Sequence, residues 1–211
     1  MRVTVVEHPV LAAVLTGIRD ERSSSSSFVG LVDRATNLLL SPATAELPTI
    51  AGVVTTPVGP ADCKQLTHEP LLVPVLRAGL GMLDSARRLL PESPVAFVGL
   101  RRDEATARAT WYLDALPDDL TGVPVIVLEP MIATGGTLGD VITRLARLGS
   151  PAVTVVSLLC APEGIAAIER ATSDVPCDVH IVAAAVDQGL NDRHFIVPGL
   201  GDAGDRLFGE G

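Results

Sequence analysis

Short apolar runs and longer amphipathic stretches alternate along most of this chain, and the alternation predicts its fold. Residues 71–76 (LLVPVL), 94–100 (PVAFVGL), 123–128 (VPVIVL), 152–159 (AVTVVSLL) and 178–185 (DVHIVAAA) are apolar at nearly every position. Runs of that length, without polar alternation, predict strands of a parallel sheet covered on both faces. Helical spacing follows several of them, over residues 80–90, 137–148 and 163–171. Within 137–148, Leu138, Val141, Ile142 and Leu145 share one face, while Asp140, Arg144 and Arg147 lie opposite, with Asp140 and Arg144 a favourable i,i+4 pair. Strand and helix in alternation predict an α/β domain with right-handed crossovers.

Upstream, residues 9–20 read as a short helix with Pro9 in its first turn, and 28–40 as a second helix with Leu31, Leu38 and Leu39 as candidate buried positions. The five serines at 23–27 between them read as a linker or a helix lead-in. Residues 101–116 are polar around Trp111 and Tyr112 and predict a hairpin or flap projecting from the sheet. Residues 187–208 hold four glycines and little periodic signal, which predicts a long ordered coil; Phe195, Ile196 and Val197 at its centre argue against a disordered tail.

At 211 residues the chain suits one domain: 71–186 as the core, with 1–70 and 187–211 adding N-terminal helices and a hood. The composition, 47% hydrophobic and 19% charged, is that of a globular protein. A net charge of −9 opposes general nucleic-acid binding but leaves room for a small phosphorylated ligand held by local arginines and backbone amides. No apolar run reaches membrane-spanning length, and no signal-peptide core follows Met1. Three scattered cysteines, Cys63, Cys160 and Cys177, without a CxxC pair, fit a reducing cytoplasm better than a zinc site. His8, His68, His180 and His194 have no partner at metal-ligand spacing.

The candidate chemistry concentrates at predicted strand ends. Residues 123–137 (VPVIVLEPMIATGGT) give a buried strand, an acidic residue, a small-residue turn and a helix. Ligands of open α/β sheets bind at such carboxyl ends. Gly135 and Gly136 allow a phosphate close to unpartnered helix N–H groups, Thr134 and Thr137 add hydroxyls, and Glu129 could accept hydrogen bonds from ribose hydroxyls. The alternative is a glycine turn that only starts a helix. Neither GxxxxGK[ST] nor GxGxxG is present. Arg77, with Gly79 and Gly81 after it, ends the first core strand, and Arg101 and Arg102 end the second. Together they could grip a diphosphate, or each could be a solvated surface residue.

Residues 76–82 (LRAGLGM), 129–137 (EPMIATGGT), 161–165 (APEGI) and 198–205 (PGLGDAGD) resemble the motifs of uracil phosphoribosyltransferases, in that family's order, from about residue 8 to residue 208. The resemblance implies the type I phosphoribosyltransferase fold: a parallel sheet flanked by helices, a small hood and a projecting β-hairpin flap. It implies conversion of uracil and phosphoribosyl diphosphate to UMP and diphosphate, with no covalent nucleophile. Arg77, Arg102 and Asp202 are the implied catalytic residues. Arg77, Arg102 and Asp202 would also contact phosphoribosyl diphosphate, together with Glu129, Pro130, Met131, Ile132, Ala133, Thr134, Gly135, Gly136 and Thr137. Uracil would meet Ile196, Gly201, Asp202 and Ala203. Magnesium carried by the donor, a homodimer or higher oligomer and a response to GTP are implied as well; nucleic acid and membrane are not.

The chain departs from the family pattern at several places. Glu129 stands where Asp is usual, Arg101 where an aromatic is common, and Ala109-Thr110-Trp111 where a Pro-x-Pro precedes the tyrosine, here Tyr112. Ser41-Pro42-Ala43-Thr44 replaces a YEAT motif, and the serine run replaces a region that is often basic. A nucleotide-sensing regulator with weak or no catalysis is the alternative reading on the same fold, and an enzyme for another base is a third.

Overall fold

A computed structural model describes residues 1–102 and 109–209. Its central sheet runs β1 (Arg2–Val5), β10 (Asp178–Val186), β9 (Ala152–Cys160), β7 (Val125–Leu128), β4 (Leu71–Leu76), β5 (Val98–Arg102) and β6 (Ala109–Asp114), with β8 (Met131–Ile132) also on β9. All pairings are parallel except β5 with β6, the flap hairpin. Four of the five apolar runs lie on β4, β7, β9 and β10 within two residues at each end. The fifth starts later, at Val98, because its first half touches the sheet only through a bridge between Val95 and Leu72.

The sheet's apolar runs follow from cover on both faces. Leu72, Ile126, Leu128, Val156 and Val182 point to the side of α1 (Pro9–Arg19), α2 (Ser25–Thr44), α3 (Leu80–Leu89) and α6 (Ala203–Phe208). Their neighbours Leu71, Val73, Val125, Val127, Val153, Val155 and Ile181 point to α4 (Gly136–Arg147) and α5 (Pro162–Ala171). The period of two is hidden in the sequence because both faces are dry.

Both upstream helices form, and the second is longer than its periodicity suggests. His8 Nδ1 accepts the N–H groups of Val10 and Leu11, and Pro9 takes the first helical position of α1, where no intrahelical donor is needed. The serine run is a helix lead-in: Ser24 caps α2 by accepting the Ser27 N–H at 3.3 Å. Phe28, Val32, Ala35, Leu39 and Ala43 then form one buried stripe.

Four features escape the sequence reading. β1 is a short edge strand held by side chains: Arg2 donates to Glu46 and to His180 Nδ1, so the His180 Nε2–H donates to Thr4 Oγ1 at 2.9 Å. β2 (Thr49–Thr55) and β3 (Pro60–Leu66) form a separate antiparallel arm, exposed along most of its length, so no buried face patterned it. The predicted C-terminal coil contains a small hairpin, β11 (Gly189–Leu190) with β12 (Ile196–Val197), and the helix α6. These elements are too short for periodicity to register. No helix among the described residues is long and apolar enough to cross a membrane.

Phe28 is fully buried, with the Arg206 guanidinium 4.1 Å from its ring centre. Phe28→Ala should lower the unfolding free energy by about 3–5 kcal/mol in a urea melt, with the slope unchanged; a loss under about 1 kcal/mol would mean that α2 is not docked as described.

Candidate active site

One interrupted strand builds the first half of the site. β7 and β8 pair with β9 at a constant offset, Leu128 opposite Val156 and Met131 opposite Leu159, so they are a single strand broken at Glu129-Pro130. The break has a simple cause: Pro130 has no N–H to give the ladder. Its carbonyl accepts the N–H groups of Leu158 and Leu159 instead, and Glu129 N–H still reaches Val156 O at 3.1 Å. The Glu129 side chain therefore emerges from a backbone pinned on both sides. It lines a cavity of about 240 Å³ with Met131, Ile132, Ala133, Thr134, Gly135 and Thr137. Pro130 is buried behind this wall, and Gly136 is an exposed first residue of α4.

Gly135 caps α4 at φ +75°, a conformation costly for any other residue, and a Cβ there would collide with the Gly164 carbonyl. The amides opening α4 lack helical partners, so this turn is a natural anion site beside the Thr134 and Thr137 positions. Among the described residues no cation is paired with Glu129. The cost of removing its charge from water pushes its pKa up to about 8, opposed by the Met131 N–H at 3.4 Å. The residue is half-buried and faces the cavity, so water there moderates the shift, but protein packed around the carboxyl fixes its upward direction.

The second cavity, of about 290 Å³, shares Met131 and Ala133 with the first. Ala78, Ile196 and Ala203 add apolar wall, and Gly201, Asp202 and Gly204 complete that side. Asp202 caps α6, its Oδ1 accepting the Asp205 N–H at 3.0 Å. Arg77 follows β4 through a cis Leu76–Arg77 peptide, is exposed, and brings Nη2 to 3.5 Å from Asp205 Oδ1. Two glycines after it are dictated by packing. A Cβ on Gly79 would sit 2.6 Å from Val75 N, and one on Gly81 2.7 Å from Leu207 of α6.

Ile196, Gly201, Asp202 and Ala203 thus share one cavity; Glu129, Met131, Ile132, Ala133, Thr134, Gly135 and Thr137 line the other, which Pro130 and Gly136 do not, and Arg77 lies beside the first turn of α6. Arg101, the penultimate residue of β5, is exposed. The Arg102 backbone pairs with Ala109, but its side chain lies outside the described residues. Tyr112 on β6 lies across Gly99, where a Cβ would meet its hydroxyl at 2.7 Å.

The sequence reading missed Arg193, His194 and Phe195, which also line the second cavity. They sit in a turn closed by Asn191, whose Oδ1 accepts the N–H groups of Arg193 and Phe195, both at 3.0 Å. An Asn opening a polar stretch before an apolar one was the available signal. The clamp behind this region was missed too. Arg19 donates to both oxygens of Asp187, at 2.8 and 2.5 Å, and to Gly199 O at 2.8 Å, while Gly199 N–H donates to Asp187 Oδ2. Burial works to raise the Asp187 pKa, but the guanidinium and the Gly199 amide hold it below the usual carboxylate range. Arg206 donates to the carbonyls of Ile18, Asp20 and Leu200.

Two adjoining cavities, one headed by an acid and an anion-binding turn, the other a partly apolar slot, suit a sugar phosphate next to a flat ring. The family model for uracil phosphoribosyltransferase matches residues 5–210. A uracil phosphoribosyltransferase from Streptomyces avermitilis is 49% identical over 210 residues, covering 99% of each chain. A solved structure from Aquifex aeolicus superposes with a TM-score of 0.90 at 32% identity, covering 98% of each chain. A hypoxanthine-guanine phosphoribosyltransferase from Bacillus anthracis, 16% identical with a TM-score of 0.50 over 76% of this chain and 79% of its own, shares the fold alone.

The raised Glu129 pKa has a stability consequence. Between its ordinary value of 4.5 and about 8, the folded protein keeps a proton that the unfolded chain has released. Stability therefore falls as pH rises through that window. Glu129→Gln removes this slope, so its Tm should gain on that of the parent between about pH 5 and about pH 8 in calorimetry; parallel Tm curves would show that the carboxyl titrates normally.

Proposed function

We propose that this chain, which belongs to the uracil phosphoribosyltransferase family, transfers the phosphoribosyl group of phosphoribosyl diphosphate to uracil. The observation that carries the reading is the wall of Met131 and Ala133 shared by the two cavities, which supports a donor and an acceptor bound side by side. The bond from the anomeric carbon to the diphosphate oxygen breaks, and a bond to the uracil ring nitrogen forms. That nitrogen's proton passes to water, and diphosphate leaves with the bonding pair.

Positioning and charge neutralisation carry this reaction, since its transition state resembles an oxocarbenium ion and needs no protein nucleophile. The α4 turn holds the 5-phosphate and Glu129 accepts the ribose hydroxyls. A protonated Glu129 could also donate, so the sugar contact survives its raised pKa. Arg77 and, on the family pattern, Arg102 would neutralise the diphosphate, and Asp202, which lines the second cavity, would meet the base. Ile196, Gly201 and Ala203 frame the ring. Tyr112 lies on β6 of the β5–β6 hairpin; a flap that shuts water away from the donor, and so prevents its hydrolysis, would involve residues 103–108, which lie outside the described residues.

Among the described residues no three His, Cys, Asp or Glu side chains converge on a metal position. Magnesium usually keeps several waters and binds substrate phosphates with one or two carboxylates, so an ion arriving on the donor, near Glu129 or Asp202, fits this site. When bound it would neutralise charge on the leaving diphosphate. The free thiols of Cys63, Cys160 and Cys177 favour a reducing compartment, the cytoplasm.

The β2–β3 arm supports a homodimer or higher oligomer. Ile50, Val53, Val54 and Val58 are exposed on it, Val58 at 98%, and a second copy of the chain would cover them. Sedimentation should return a dimer or larger, and a monomer at micromolar concentration overturns that reading. Adding GTP to the rate assay below tests the effector the family resemblance implies, with a rise in rate supporting it and an unchanged rate removing it.

Diphosphate release should follow uracil, and not cytosine or hypoxanthine, when each base is supplied with the donor and magnesium. Arg77→Ala should reduce kcat/KM by about 100-fold or more with an unchanged melting profile. Release with another base alone would reassign the substrate, and a near-normal rate in the variant would remove Arg77 from the diphosphate.

A further inference from the structure

Residues 161–164, Ala161-Pro162-Glu163-Gly164, touch neither cavity, yet both loops of the site rest on them. On the donor side, Ala161 N–H donates to Ile132 O at 2.8 Å. Gly164 packs against the turn itself: a Cβ on it would collide with Ala133 O and come 2.9 Å from Ile132 O. A Cβ on Gly135 would in turn strike Gly164 O. The donor turn and the start of α5 are therefore in backbone-to-backbone contact, and a shift of one displaces the other.

On the acceptor side Glu163 reaches the hairpin that carries part of the base cavity's wall. Glu163 Oε1 accepts the Leu190 N–H at 3.2 Å, and a Cβ on Gly189 would lie 2.8 Å from that oxygen. Leu190 pairs with Ile196, which lines the base cavity. One residue before Ala161, Cys160 O accepts the Asp187 N–H at 2.8 Å, and Asp187 holds Gly199. The β11–β12 hairpin is short and half exposed, so its position depends on such outside contacts.

We propose that Glu163 is a positioning residue that couples the two substrates: filling the donor turn fixes the start of α5, and Glu163 passes that constraint to Leu190 and so to the base pocket. Uracil then binds more tightly to the donor-loaded protein than to the free one. Coupling of this kind is reciprocal, so uracil tightens the donor by the same factor. The carboxylate also suits its place in the first turn of α5, next to the positive end of the helix. The inference rests on the functional reading above, since it takes ribose 5-phosphate and uracil as the occupants of the two cavities.

Ribose 5-phosphate fills the donor turn without a diphosphate to lose, so binding is read without turnover. Calorimetric titration of uracil, with and without saturating ribose 5-phosphate, should show about 5-fold or greater tightening in the parent protein. Glu163→Ala should reduce that factor to less than about 2 while leaving the affinity for ribose 5-phosphate alone unchanged. Glu163→Gln, which keeps an acceptor oxygen, should restore most of it. Full coupling in the alanine variant overturns the proposal. So does equal weakening of uracil with and without the sugar phosphate, the mark of a merely structural role. A parent protein that binds both ligands without coupling overturns it as well. A parent protein that binds neither ligand is a different result, because it defeats the functional reading and this inference together.

Discussion

The carboxyl end of β9 is where this site is fixed. Within two consecutive residues the strand gives one hydrogen bond to each substrate loop: Cys160 O takes the Asp187 N–H, and Ala161 N–H reaches Ile132 O. Cys160 and Ala161 are fully buried, so neither bond competes with water. The chain thereby places segments separated by more than fifty residues on either side of one strand end. Parallel α/β sheets favour ligand sites at such ends because every strand delivers its following loop to the same edge.

Around that anchor, glycine sets how closely backbones approach. Gly135 and Gly164 meet where two Cβ atoms could not, and Gly79 folds back onto Val75 and Leu128. These contacts leave little freedom for the donor turn, which suits catalysis by positioning. Charge is handled unevenly in the same region. Asp187 has a bidentate partner in Arg19 and a depressed pKa, so it serves as a fixed strut. Glu129 has no cation beside it among the described residues and a raised pKa, which is the expected state of a group placed for a ligand rather than for stability.

The hood behaves differently from the core. Its two-residue strands bury little by themselves, and Arg19, Arg206, Glu163 and Asn191 tie it down with side-chain hydrogen bonds to its backbone. Ile196, Leu200, Ala203 and Leu207 also anchor the segment in the apolar core, so polar and apolar contacts hold it together.

The sequence alone determined the core strands, the helices between them, the acid-turn-helix at Glu129–Thr137 and the family. Each of those rests on local pattern: dry strands read as unbroken apolar runs, and a glycine turn before a helix reads as such wherever it occurs. Only the tertiary structure decided that β7 and β8 are one strand broken by Pro130, and that Arg193 and His194 flank the base cavity. It also supplied the Arg19–Asp187 clamp and the contact of Gly164 with the donor turn. The arm of β2 and β3 and the edge strand β1 stayed hidden because neither buries a full face. The reason is common to all of these. A polar residue or a glycine takes its role from whatever segment packs beside it, and sequence spacing carries no record of that neighbour.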